Sequence, residues 1–162
     1  MNSSKLRNCL VFSGFQTWFG SVDVMSSPVY FQVMRNNSDT NTGQSIVNYD
    51  TEILNTGGAM NMTSGIFTAP RKGTYSFTFT GLASCGIGVE GHVDLQLLLN
   101  GQAVNYGHAH GTQHDQASMH TILHLQAGDQ VWTRMIEATC VLERQSIHFT
   151  GWQLQEELNF SA

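Results

Sequence analysis

His108, His110 and His114, with Asp115 beside them, are the residues of this chain whose types and spacing come nearest to a chemical site. Side chains at i and i+2 of a strand share a face, so His108 and His110 could offer two imidazoles to one metal ion or form a pH-sensitive pair. The plainer reading, a solvated or interfacial polar loop, is the one the sequence favours, and no metal is assigned. His120 and His124 share strand parity with Ile122, opposite to Thr121, Leu123 and Leu125, and are predicted to face outward. Gly86-Ile87-Gly88-Val89-Glu90-Gly91 matches the glycine pattern of dinucleotide-binding turns. That pattern needs a helix after it to hold the pyrophosphate, and here an alternating strand follows, so the segment is read as an inter-strand loop. The carboxylates are isolated apart from Glu156-Glu157. No serine elbow, His-Glu-x-x-His helix or phosphate loop occurs. The chain therefore offers no named nucleophile or general base, and it is read as a non-enzyme without a cofactor.

The cysteines are Cys9, Cys85 and Cys140. Their spacing fits no zinc pattern. One disulfide with a leftover thiol and three free thiols both remain open on the residues alone. Asn-x-Ser/Thr sequons stand at Asn2, Asn36, Asn61 and Asn159, and lean toward secretion.

The elements that must carry these groups are strands. In Tyr75-Ser76-Phe77-Thr78-Phe79-Thr80 three rings alternate with small hydroxyls, the period of a half-buried strand. Pro70 and Gly73 bracket the turn before it, after the short strand Gly65 to Ala69. Strands are also read at Val29 to Met34, in one or two short pieces within Ile46 to Leu54, at Val93 to Leu99, Ala103 to His108, Thr121 to Leu125, Val131 to Ile136 and Ser146 to Gln155. Asn55-Thr56-Gly57-Gly58 and Gly128-Asp129 are turns. Asn100-Gly101 is a hairpin signal, because both residues accept positive φ. About ten short strands without a convincing helix point to an all-β, ten-stranded jelly-roll sandwich of two antiparallel sheets. The expected core is Phe31, Phe67, Tyr75, Phe77, Phe79, Leu97, Leu123, Val131 and Phe149. In the last strand Ile147 and Phe149 point one way and Trp152 and Leu154 the other. A strand apolar on both faces needs cover on both, so Trp152 and Leu154 are expected at a self-association interface.

Only 12% of the 162 residues are charged and the formal net charge is −5, with seven Lys and Arg. That leaves no electrostatic footprint for nucleic acid, and no run reaches the length of a membrane span. Residues 1–27 read as a tail. Lys5 and Arg7 before Cys9-Leu10-Val11-Phe12 faintly resemble the start of a leader, cut short by Ser13 and Gly14. Val11, Phe15, Trp18, Val22 and Met25 keep heptad spacing over about two heptads, a remnant of a coiled coil or a packed tail. Residues 28–158 form the expected domain and 159–162 a C-terminal tail.

Taken together, residues 28–158 resemble the C1q-like family, in particular its secreted invertebrate members. The resemblance rests on Val29-Tyr30-Phe31-Gln32-Val33, Asn55 with Gly57, and Gly65-Ile66-Phe67-Thr68-Ala69-Pro70 with Gly73, Tyr75 and Phe77. It continues through Leu99-Asn100-Gly101, Leu123-His124-Leu125 with Gly128-Asp129-Gln130-Val131, and Phe149-Thr150-Gly151-Trp152. It implies a jelly roll assembled as a homotrimer, secreted to the extracellular space. The implied role is recognition of carbohydrate, microbial surfaces or protein partners, lectin-like and of the innate-immune kind. A tumour-necrosis-factor-like signalling ligand and a structural matrix component are the alternatives. Some members bind calcium near the trimer top, but no matching acidic cluster is seen here. No Gly-x-y collagen repeat is present. The implied topology also brings the loops after Tyr75–Thr80 and Val131–Ile136 to the same end, which makes a Cys85–Cys140 bridge an expectation. Ligand contacts in such folds come from variable loops, so the resemblance assigns no binding residue, and His108, His110, His114 and Asp115 stand as ligand candidates on the residues alone.

Overall fold

The computed structural model describes residues 27–37 and 43–157. Residues 1–26 of the predicted N-terminal tail, the C-terminal tail, the heptad segment, Cys9 and the sequons at Asn2 and Asn159 lie outside the described residues. Eleven strands, and no helix, make up the rest: β1 Tyr30–Arg35, β2 Thr51–Thr56, β3 Met60–Asn61, β4 Ile66–Thr68, β5 Gly73–Ser84, β6 Gly91–Leu99, β7 Gln102–Gly111, β8 His114–Leu125, β9 Gln130–Ala138, β10 Val141–Leu142 and β11 Ile147–Glu156. They form two antiparallel sheets, one ordered β10-β5-β11-β1-β2 with β8 also paired to β5, the other β3-β4-β9-β6-β7. The chain crosses repeatedly from one layer to the other, at β2–β3, β4–β5, β5–β6, β7–β8, β8–β9 and β9–β10, as a jelly roll requires.

The two inner faces meet in one aromatic core. Phe31, Phe67, Tyr75, Phe77, Phe79, Leu97, Val131 and Phe149 are all buried, while Leu123 is only partly buried and packs against the edge of the core. Phe31 lies 5.4 Å from Phe67 and 5.1 Å from Phe149, and Phe67 meets Phe77 edge-on at 5.2 Å. Such offset and edge contacts suit the ring quadrupole. Gly151 stands where the ring of Phe31 crosses β11, and a Cβ there would also lie 2.8 Å from Phe77 Cδ1. The small residue lets the strand approach the rings.

The segment read as one or two strands within Ile46 to Leu54 differs in the structure. Ile46 makes a single bridge to Arg134, and pairing resumes only at Thr51. Between them Val47 and Tyr49 dive into the core. Tyr49 stacks on Phe149 at 5.8 Å, and its hydroxyl hydrogen bonds Thr133 Oγ1 at 2.6 Å. Burial pushes that phenol far above its ordinary range, more than the Thr133 bond and the Arg35 charge lower it.

Two turns are fixed by local chemistry. Asn100 and Gly101 have φ of 50° and 89°, the left-handed pair that joins β6 to β7. Asn55 pins the turn after β2, donating from Nδ2 to Met60 O and accepting from Met60 N–H at Oδ1. At one end of the sandwich Cys85, just after β5, is bonded to Cys140, just after β9, with Cα atoms 4.6 Å apart. The bridge links the two layers. At one side β7 and β8 close the sandwich, where Asn105 Nδ2 donates to Thr121 Oγ1 and His120 O at 2.6 and 3.0 Å.

Candidate functional site

The outer face of the first sheet is unusual in what it lacks. Three successive cross-strand rows run over β8, β5, β11, β1 and β2: Ile122-Ser76-Trp152-Tyr30-Thr56, His120-Thr78-Thr150-Gln32-Leu54, and Ser118-Thr80-His148-Met34-Thr51. None of these fifteen residues is Asp, Glu, Lys or Arg. The first row is apolar at its exposed positions, with Ile122 57%, Trp152 40% and Tyr30 39% accessible. Ser76 between them is buried, and its hydroxyl hydrogen bonds His120 Nε2 at 3.1 Å. Leu154, half exposed, occupies a bulge in β11 between Gln153 and Gln155, beside a shallow groove lined by Pro28, Val29, Tyr30 and Trp152. Charge depletion with exposed aromatics is the compositional mark of an interface core. His120, Ile122 and His124 are exposed together, as strand parity requires.

Of the histidine candidates, His108 and His110 sit on the other layer, in β7, while His114 and Asp115 begin β8 of the first sheet. β7 runs to Gly111 and β8 starts at His114, so the expected loop over His108 to Asp115 shrinks to the tight connection at 112–113. The ladder continues where a loop was expected, with His110 opposite His92 and Asp115 opposite Ala83. His108 and His110 both face outward from β7, their rings near-parallel and 6.0 Å apart. His108 Nδ1 contacts the Asp94 carboxylate across the ladder. His110 Nε2 lies 3.4 Å from Glu90, and His92 Nε2 lies 3.9 Å from Glu137. His114 faces Ser84 on β5 instead, with Nε2 3.4 Å from its hydroxyl. The Asp115 carboxylate accepts the backbone N–H groups of His110 and Gln116, and these bonds hold it below the usual carboxylate range. The structure thus joins His108 and His110 with three residues that sequence reading passed over, His92, Asp94 and Glu137. The period-two pattern of Val93 to Leu99 already put His92 and Asp94 on one face; what it lacked was the register with β7.

Among the described residues no three His, Cys, Asp or Glu side chains converge on a common point. The sequon residues Asn36 and Asn61 are both exposed. Asn61 Oδ1 accepts the Thr63 and Ser64 N–H groups, and Asn36 Oδ1 accepts from Gln145 Nε2.

The C1q domain family matches residues 30–154. This chain belongs to the C1q domain family. Curated relatives include zebrafish (Danio rerio) Caprin-2, 30% identical over 105 residues, and mouse (Mus musculus) complement C1q tumor necrosis factor-related protein 2, 33% identical over 90 residues. These alignments take in 65% and 55% of this chain, but only 11% and 29% of the relatives' own lengths. Among solved structures, the globular domain of zebrafish complement 1qA superposes with a TM-score of 0.68 at 17% identity, over 80% of this chain and 99% of that one. Eiger TNF from S. frugiperda superposes at 0.65 and 9% identity, over 85% of this chain and 99% of that one. Murine APRIL at pH 8.5 gives 0.59 and 14%, over 78% and 99%. At such identities the likeness establishes a shared jelly roll and nothing finer. The chain is a C1q-type ligand-binding domain, in a fold class of non-enzymatic binding domains that typically form trimers, and C1q domain proteins are typically secreted. No helix among the described residues is long and apolar enough to cross a membrane.

Proposed function

We propose that this chain is a secreted recognition domain that works as a homotrimer and binds carbohydrate, microbial-surface or protein ligands in the manner of a lectin of innate immunity. The observation that carries the reading is the uncharged outer face of β8, β5, β11, β1 and β2, with Tyr30, Ile122, Trp152 and Leu154 exposed on it. Leaving these side chains in water forgoes about 1.5–3 kcal/mol for each large apolar group that could be fully buried. Head-to-tail contact between copies around a three-fold axis removes them from water and leaves the second layer, with the polar outer faces of β6 and β7, facing outward to ligands. Repeating a weak site three times raises avidity without any new contact.

The test is a glycan and microbial-polysaccharide array probed with the wild-type chain and with Trp152→Asp. The wild type is expected to bind a subset of glycans, and the variant to lose most of that signal because its sites are no longer joined. Equal binding by both, or no binding to any glycan or microbial surface, overturns the lectin reading. The signalling-ligand alternative draws on the APRIL and Eiger likenesses, which speak to the fold alone.

A further inference from the structure

We propose that the outer face of β6 and β7 binds a zinc-class divalent transition metal, with His92, His108 and His110 as nitrogen ligands and Asp94 as the carboxylate ligand. Strand register brings the four side chains together. His92 is directly opposite His110, and Asp94 directly opposite His108. Opposed residues on one face of an antiparallel pair have Cβ atoms about 4.5–5.5 Å apart. The four side chains therefore form a two-by-two block on one face of a fixed ladder. Three imidazoles and one carboxylate match the four-coordinate preference of zinc and suit copper and nickel as well. Calcium and magnesium, which take oxygen ligands, do not fit this donor set.

The surroundings fit a cation. Glu137 lies opposite Asp94 on β9 and 3.9 Å from His92, and Glu90 lies 3.4 Å from His110. Carboxylates so placed orient ligating imidazoles and raise their basicity. Asp115 adds a further negative charge by holding the His110 backbone N–H. Arg134, one row away, is engaged with Gln96 at 2.6 Å. In the structure each imidazole turns to its own carboxylate. His108 and His110 are half exposed or more and His92 and Asp94 partly exposed, which leaves these side chains room to turn from their present partners toward a shared ion. The core under the ladder, Val93, Leu95 and Ala109, stays in place. The block lies on the layer opposite to the proposed self-association face, so this inference does not rest on the trimer.

The test is calorimetric titration of zinc chloride into the full chain carrying no affinity tag. One saturable site per chain is expected, with no saturable response to calcium or magnesium chloride. His92→Ala, His108→Ala and His110→Ala should each weaken zinc binding roughly tenfold or more, and the triple variant should abolish it. His120→Ala and His124→Ala, on the other sheet, should leave it unchanged. Because the ligands are surface residues, thermal unfolding without metal should be the same in all variants, whereas zinc should raise the midpoint only where the three histidines remain. Absence of saturable zinc binding up to millimolar metal overturns the proposal, and so does binding that survives the triple histidine variant.

Discussion

The Cys85–Cys140 bridge allows a prediction whose size follows from topology. The bridged residues are 55 apart in sequence, and they tie the end of β5 in one layer to the link after β9 in the other. In the chain-entropy account, closing a loop of that length in the unfolded state is worth about 4 kcal/mol at 25 °C. Cys85→Ala/Cys140→Ala should therefore lose about 4 kcal/mol. For a domain of this size that corresponds to a drop of about 8–16 °C in unfolding midpoint. Circular dichroism during guanidinium and thermal unfolding, in the oxidised wild type, the reduced wild type and the double variant, provides the assay. The reduced wild type should match the variant. The denaturant slope should rise in both, because an uncrosslinked unfolded chain exposes more surface. A loss below about 1 kcal/mol with an unchanged slope would refute the reasoning, since it would mean that the unfolded chain is not constrained by this cross-link.

Other perturbations probe the core and the polar ends. Phe149→Ala removes a ring packed among Phe31, Tyr49 and Phe77, and should cost about 3–5 kcal/mol in denaturant titration. Gly151→Ala forces a methyl group onto the rings of Phe31 and Phe77, and should cost about 1–3 kcal/mol by the same measurement, although alanine is the better residue in an open strand. Burial works against ionisation of Asp50, but hydrogen bonds from the Asn36 amide, the Thr51 hydroxyl and the Asn37 amide outweigh it and hold its carboxyl below the ordinary value. A depressed folded value means that stability is present above the unfolded value of about 3.9 and is lost as pH falls through the folded one. Acidification below about pH 4 should thus lower the melting midpoint of the wild type more than that of Asp50→Asn, and equal acid profiles would exclude the linkage.

Much of the architecture could be read from local chemistry. The rings of Tyr75, Phe77 and Phe79 alternate with hydroxyls, and a strand is the only element whose period matches. Asn100-Gly101 marks a hairpin because few other pairs accept positive φ twice. Trp152 and Leu154 announced a second apolar face because their parity opposes that of Ile147 and Phe149. What stayed hidden depends on partners distant in sequence. Tyr49 is a core residue because Thr133, 84 positions away, takes its hydroxyl. No period marks that. The polar run after His108 looked like a loop because polar residues fill both an exposed strand face and a turn, and only pairing with β6 and β5 tells them apart. For the same reason His92, Asp94 and Glu137 could not be grouped with His108 and His110 until the register was known.

The account turns on whether the uncharged face of the first sheet is covered by other copies of the chain. Sedimentation equilibrium of the wild-type chain and of Trp152→Asp at micromolar concentration measures this directly. The account predicts about 54 kDa for the wild type, three times the 17.9 kDa chain, and a shift toward the single chain for the variant. A wild type that sediments as a lone 17.9 kDa species would contradict it.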